Sequence, residues 1–291
     1  MQKKFAFIIN PNAGRKKNFS VRDFISNQIT DSSLFEILDW NSPDEFNLIK
    51  QEIDSGNYEC TVAVGGDGTV NRVAEAIRGT EIALGILPFG SGNGLARTLN
   101  INLKPEVAIQ QLLSGKIQKI DAGKMNSHSF FCTAGTGFDA YVGSLFAQSK
   151  RRGFFTYATI STQEIFSYKA TQYRITVDGK TFTRKAFLIT VCNSGQWGND
   201  IYICPEAKIN DGIFHLSILN EFSKIQIPTL AINLLRKKIH HTNFTEIITG
   251  KSIIIERESE SPAHTDGEPH IEEKKLNFEI LPDRKSTRLN S

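Results

Sequence analysis

Three glycines, an acid and a hydroxyl residue stand together in Gly65-Gly66-Asp67-Gly68-Thr69, followed by Val70 and Asn71. Such a set suits phosphate. Glycines let backbone N–H groups approach an anion closely, and a helix starting there adds unpaired N–H groups and the positive end of its dipole. The acid is the unusual part, because Asp67 would repel a bare phosphate; a bridging Mg²⁺ or a ribose hydroxyl is its expected partner. The dinucleotide fingerprint needs a third glycine where Asn71 stands, and the P-loop's Gly-Lys-Ser/Thr is absent. The same glycines would also serve a tight turn with no ligand.

Other segments offer related chemistry. Asn10 opens a turn, Pro11 to Gly14, with Arg15, Lys16 and Lys17 behind it, which reads as a second phosphate contact or as a plain turn. Pro88 to Arg97 holds Gly90, Gly92 and Gly94, with Ser91 able to offer a hydroxyl. Asp211-Gly212 and Asp266-Gly267 both have the form of hairpin turns, but the second is followed by Glu268. A carboxylate there could take the proton of a hydroxyl held in line. His240 and His241 have no acidic or cysteine partner at ligand spacing and read as a solvated turn.

These residues need elements to hold them. Phe5–Ile9, Phe35–Trp40, Thr61–Val64 and Ile82–Leu87 read as strands, and Phe19–Ile29, Asp44–Ile53, Val70–Ile77 and Val107–Leu113 as helices. Alternation of this kind predicts a parallel, doubly wound sheet, with ligands at the carboxyl ends of the strands, where the turns at Asn10 and Gly65 fall. From Lys119 the texture changes to short β-rich runs: Ile120–Met125, Ser129–Ala134, Tyr173–Val177, Ala186–Cys192, Ile213–Leu219 and Lys251–Glu256. The expectation is an α/β domain over 1–120 and an antiparallel β-sandwich or barrel-like domain over 121–275. Residues 284–291 are polar and aperiodic and are expected to be a disordered or non-native tail.

Composition narrows the classes. Hydrophobic residues at 40% and charged residues at 22% describe an ordinary folded protein, and a net charge of +3 gives no case for nucleic acid. Cys60, Cys132, Cys192 and Cys204 lie in apolar runs without a CxxC pair, so reduced core thiols are expected. No signal-peptide pattern and no membrane-length apolar span is visible, which predicts a cytoplasmic protein.

Gly65–Thr69 with Asn71 resembles the nucleotide-binding motif of the diacylglycerol kinase catalytic-domain family, which includes bacterial lipid kinases and sphingosine kinases. NAD kinases and 6-phosphofructokinases carry a related turn. The Pro88–Arg97 segment resembles the lipid kinases' Gly-Ser/Thr-x-Asn loop, although Asn93-Gly94 stands where bacterial diacylglycerol kinases usually have Asn-Asp. That is closer to the sphingosine-kinase pattern. Asp39-Trp40 replaces a nucleotide-contacting Thr of some relatives.

The resemblance implies an NAD-kinase-like first domain and a place in it for 276–283. It implies an ATP- and Mg²⁺-dependent kinase of lipid metabolism, with the donor's phosphates at Asn10, Gly65, Gly66, Asp67, Gly68, Thr69, Asn71 and Ser91. Glu268 would be the general base, Asp67 the acid nearest the transferring group, and Asp266 a structural neighbour. Pro205 to Gly212 looks like the family's Pro-x-Ala-x-x-x-Asp-Gly motif, which places Mg²⁺ on Asp211 and the carbonyls of Lys208 and Ile213, with Asp121 in a water-linked network. The expected partner is a lipid hydroxyl at the inner membrane surface, and a homodimer is compatible with it. Lys150-Arg151-Arg152 before Gly153, and Leu230–Leu235 before Arg236-Lys237-Lys238, set cations beside apolar residues, which suits anionic lipid or an ordinary helix end. An NAD-kinase-type enzyme and a non-catalytic nucleotide-binding regulator are the alternatives.

Overall fold

The computed structural model describes residues 4–10, 20–40, 45–150, 153–281 and 285–289. The turn expected at Pro11–Lys17, the pair Arg151-Arg152 and Arg284 lie outside the described residues. The chain divides into two units, Met1–Ile120 with Asp283–Ser291, and Asp121–Pro282.

The first unit runs β1 (Lys4–Ile9), α1 (Val21–Gln28), β2 (Phe35–Asp39), α2 (Phe46–Ser55), β3 (Tyr58–Gly65), α3 (Asp67–Ala76), β4 (Ala83–Pro88), α4 (Gly94–Thr98), α5 (Pro105–Ser114) and β5 (Lys116–Ile120). The second contributes β6 (Gly123–Met125), β7 (His128–Phe130), β8 (Thr133–Gly137), α6 (Phe138–Gln148), α7 (Phe154–Glu164), β9 (Thr171–Val177) and β10 (Lys180–Cys192). It continues through β11 (Gln196–Gly198), β12 (Ile201–Tyr202), β13 (Phe214–Asn220), α8 (Ile227–Leu235), β14 (Thr245–Gly250), β15 (Ser252–Glu256), β16 (Ser261–Thr265), β17 (Glu268–Glu272) and β18 (Lys275–Ile280). A last strand, β19 (Lys285–Leu289), belongs to the first unit.

In the first unit β2, β1, β3 and β4 pair in parallel in that order. Val62–Val64 and Leu84–Leu87 have almost no exposed surface, as expected of parallel strands covered on both faces. Ser20 caps α1 by accepting the N–H of Asp23 at 3.2 Å. Both glycine-rich segments leave carboxyl ends of neighbouring strands, β3 and β4.

The second unit is antiparallel, with strand order β17-β16-β8-β10-β9-β15-β18-β6-β7, β13 paired to β10, and β14 paired to β13. Ile175, Ile189, Phe130, Phe214, Leu216, Ile253 and Phe278 share one core, so strands from distant parts of the sheet face each other across it. A second apolar cluster joins Phe138, Val142, Phe187, Leu188, Ile203 and Leu230, where α6 and α8 lie on the sheet.

Three expectations differ from the structure. The run Ile120–Met125 is two strands in two units, because Asp121 leaves the ladder to bond the 209–212 turn. Leu276–Leu281 stays in the second unit, where β18 pairs with β15 and β6; its alternating buried Leu276 and Phe278 close that core. Part of the presumed tail, 285–289, is instead β19, parallel to β4 and antiparallel to β5. Backbone ladder bonds are indifferent to side-chain polarity, which is why a polar, aperiodic stretch could hide a strand.

Candidate active site

In the first unit β3 ends at Gly65, Gly66 is the N-cap, and α3 starts at Asp67. Asp67, Gly68 and Thr69 are therefore in the first turn of the helix, with the N–H groups of Thr69 and Val70 bonded to Gly66 O at 3.0 Å, and Asn71 follows in the second turn. Asn10, leaving β1, donates through Nδ2 to Thr69 Oγ1 at 3.1 Å, so the ends of β1 and β3 are tied at the same place.

The loop after β4 is built onto that turn. Asp67 Oδ1 accepts the N–H of Gly94 at 2.7 Å, and Phe89 N–H reaches Gly65 O at 2.9 Å. Asn93, in the left-handed region at φ 51°, closes its loop on both the N–H and the carbonyl of Gly90, at 3.0 and 2.8 Å. Gly66 and Gly90 pack backbone to backbone: a Cβ on Gly90 would stand 2.4 Å from Gly66 Cα. Ser91 is exposed at the loop's tip. The two glycine segments thus form one surface of backbone and small polar groups. Asp67, read from sequence as a partner for Mg²⁺ or ribose, spends an oxygen holding it together.

In the second unit the 208–213 segment wraps around a buried acid. Asp121, 1% exposed, donates its N–H to Ile209 O at 2.7 Å and accepts the N–H of Gly212 on Oδ2 at 2.6 Å. Gly212 has φ 73°, and the flanking strands β12 and β13 do not pair with each other, so this Asp-Gly is no hairpin. Asp211 Oδ1 accepts the N–H of Ile213 at 3.2 Å, and Oδ2 lies 3.9 Å from His215 Nε2. Carboxylate and carbonyl oxygens on one tight turn are a donor set that fits a hard cation. Among the described residues no group of three His, Cys, Asp or Glu side chains is arranged to hold a metal, so carbonyls would have to complete the set.

Asp266 and Gly267, at φ 48° and 81°, are the two central residues of a hairpin between β16 and β17. Positive φ at both is the demand of the tight turn that suits twisted strands. The Asp266 carboxylate accepts three consecutive N–H groups, from Phe131 at 2.8 Å, Cys132 at 2.7 Å and Thr133 at 2.9 Å. Its own N–H returns to Thr133 O at 2.7 Å. Glu268, the next residue but one, is exposed at the start of β17, opposite Thr265. Asp266 is the anchor and Glu268 the presented group.

Sequence reasoning missed the residues that join these parts. Asn193 is fully buried and donates through Nδ2 to Asp121 O at 2.9 Å and Phe131 O at 2.7 Å. It therefore links the 208–213 turn to the segment that Asp266 grips. Asp139 and His264 form a buried pair at 2.9 Å, each side chain 6% exposed, with Thr190 Oγ1 donating to the same Asp139 oxygen at 3.1 Å. His264 immediately precedes the Thr265-Asp266 turn. Beyond it, His270 accepts or donates to Thr265 Oγ1 at 2.8 Å and stacks on His128 at 3.9 Å, while His128 bonds Glu272 at 3.0 Å. Burial, and then the neighbouring His128, hold the His270 pKa below the ordinary histidine value. Of these, His264 stands two residues before the Asp266-Gly267 turn, which the sequence does mark.

The sequence profile of the diacylglycerol kinase catalytic domain matches residues 4–125, and that of the YegS C-terminal NAD kinase beta sandwich-like domain matches residues 132–284. A Klebsiella pneumoniae protein named "Probable lipid kinase YegS-like" is 30% identical over 250 residues, covering 84% of this chain and 82% of its own. A diacylglycerol kinase from Bacillus anthracis shares the fold with a TM-score of 0.76 at 21% identity, covering 99% of this chain and 97% of its own. An Archaeoglobus fulgidus NAD kinase, solved with ATP, superposes at a TM-score of 0.58 and 12% identity, over 99% and 94%.

Proposed function

The chain belongs to the diacylglycerol kinase catalytic-domain family with a YegS-type C-terminal domain, and from this premise we propose that it is an ATP-dependent lipid kinase. It transfers the γ-phosphate to a hydroxyl of diacylglycerol or a related lipid. The observation that carries the reading is the Asp67–Gly94 bond, which joins two glycine segments into one backbone surface at the start of α3, where an anion is favoured.

The residues divide the work. Gly65–Asn71 and the Ser91 loop hold the nucleotide's phosphates, with Asn10 fixing Thr69. Glu268 accepts the acceptor hydroxyl's proton as its oxygen attacks the γ-phosphorus and ADP leaves. Asp266 keeps Glu268 in place, since a carboxylate bonded by three N–H groups leaves its hairpin little freedom. Mg²⁺, held by Asp211 and the carbonyls of Lys208 and Ile213 with Asp121 through water, would neutralise charge on the phosphates when bound. A lipid acceptor is supported by Ile225, Ile232 and Leu235, which stand exposed in the segment that also carries Lys224, Arg236 and Lys238. Such a face suits transient attachment to an anionic bilayer.

The test is phosphate transfer from radiolabelled ATP with Mg²⁺ to a panel of diacylglycerol, phosphatidylglycerol, sphingoid bases and NAD. Label in a lipid, lost in Glu268→Gln while ATP still shifts the melting temperature, is the expected result. Transfer to NAD alone, or ATP binding with no acceptor labelled, would replace this reading with one of its alternatives.

A further inference from the structure

The 208–213 turn and the Glu268 hairpin are far apart in the chain, yet a continuous run of hydrogen bonds joins them. The turn closes on Asp121, which donates its N–H to Ile209 O at 2.7 Å and accepts the N–H of Gly212 at 2.6 Å. The carbonyl of Asp121 takes one hydrogen of the Asn193 carboxamide at 2.9 Å, and the other goes to Phe131 O at 2.7 Å. The backbone adds to this tie, because the N–H groups of Asn193 and Ser194 both reach Cys132 O, at 2.9 and 3.0 Å. Residues 131–133 are thus held from two sides. The carbonyls of Phe131 and Cys132 are taken by 193–194, and the N–H groups of all three by the Asp266 carboxylate, two residues before Glu268.

The residue type at 193 follows from that geometry. A carboxamide NH₂ carries two donors in one plane and can span two carbonyls at once, which neither Asp nor Leu of similar size can do. A purely structural strut would make the same bonds and have no further task. Two observations point beyond a strut. Asn193 joins the two parts of this unit that the chemistry calls on, the turn for the cation and the segment that anchors the general base. Its Oδ1 is also buried, in a residue with no exposed surface, and accepts no hydrogen bond among the described residues. A buried acceptor in that state is costly unless a cation or its water meets it, and Mg²⁺ keeps several waters.

We propose that Asn193 is a positioning residue that couples cation binding at the 208–213 turn to the order of the Glu268 hairpin. When Asp211 and the carbonyls of Lys208 and Ile213 hold a cation, the turn loses freedom, and Asp121, Asn193 and residues 131–133 pass that restraint to Asp266. The general base is then steadied from a site it does not touch. This rests on the cation placement proposed above and gives that cation a second task besides neutralising charge.

Nitrogen-15 NMR and amide hydrogen exchange of the chelator-treated full chain test the coupling without ATP or lipid, so the outcome does not depend on whether a lipid is phosphorylated. Magnesium chloride is titrated at constant ionic strength. The expected result is a saturable shift of the 209–213 amides and of the Asn193 side-chain NH₂ signals, with exchange at 131–133 and 266–268 slowed about fivefold or more. In a natively folded Asn193→Leu the 209–213 amides should still respond while exchange at the hairpin no longer changes, and in Asp211→Asn both responses should be lost. A hairpin that slows equally in parent and Asn193→Leu, or fails to slow although 209–213 responds, overturns the coupling. No response at 209–213 overturns the cation's placement together with it, whereas the radiolabel assay alone decides the kinase reading. If Asn193→Leu loses its native spectrum, the parent's Asn193 side-chain signals decide: they must move with the 209–213 amides, and signals that stay fixed overturn the proposal.

Discussion

Asp67 accepts the backbone N–H of Gly94 at 2.7 Å, so the acid of the first glycine turn is the clasp of the second. Glycines around this clasp fall into two kinds. At Gly90 a Cβ would meet Gly66 Cα at 2.4 Å and Asn93 Oδ1 at 2.8 Å, whereas at Gly68 nothing lies within 4 Å.

Gly90→Ala is therefore expected to lose about 1–3 kcal/mol by forcing the two backbones apart, and to weaken ATP binding with it. Gly68→Ala, inside α3, should gain up to about 1 kcal/mol of helix stability and still weaken ATP binding, because its Cβ fills space that a phosphate needs. Urea unfolding and calorimetric titration with ATP separate the two. A Gly68→Ala protein that binds ATP as tightly as the parent would remove this turn from the donor site.

Asp266→Ala removes the acceptor of three N–H groups and puts alanine at φ 48°. Hydrogen bonds to a charged group are worth about 1.5–3 kcal/mol each where buried, but this hairpin is partly exposed, so a total loss of about 3 kcal/mol is expected. Turnover should fall with it even where the protein remains folded, since Glu268 loses its anchor. Chemical denaturation and the transfer assay at low temperature check the two effects.

His270 contributes a pH dependence whose sign follows from its lowered pKa. On acidification the unfolded chain, with histidine near its ordinary value of 6.5, takes up the proton before the folded chain does. Its contribution is thus fully present above that value and is lost as pH falls through the folded pKa. Glu268 and Glu272 oppose the shift, and burial with His128 outweighs them. The stability difference between parent and His270→Asn should shrink as pH is lowered from the mildly alkaline to the mildly acidic range. A constant difference across that range would contradict the assignment.

Vesicle binding should depend on the face around α8. Ile225 and Leu235 are 86% and 71% exposed, next to Arg236 and Lys238, while Lys237 is engaged by Asp200 at 2.9 Å. Ile225→Asp with Leu235→Asp should abolish co-sedimentation with anionic vesicles without loss of melting temperature. Neutralising Arg236 and Lys238 should weaken it by about 1 kcal/mol per charge. Undiminished sedimentation of the Asp variant would leave the membrane contact unsupported.

The alternation of apolar runs with helical spacing was enough to read the parallel sheet of the first unit, because buried strands and amphipathic helices carry their environment in local pattern. The glycine turn, the Ser91 loop and the Asp266-Gly267 hairpin were legible for the same reason: positive φ and close backbone approach restrict residue type at the position itself. Composition alone could not say that Asp67 would grip Gly94, that Asn193 would join Asp121 to Phe131, or that Asp139 would pair with His264. Those bonds span 27, 72, 62 and 125 residues, and nothing in local sequence records a partner so distant. The polar strand at 285–289 is hidden for a related reason: a strand's ladder is made by backbone from separate segments, so only the folded chain decides it.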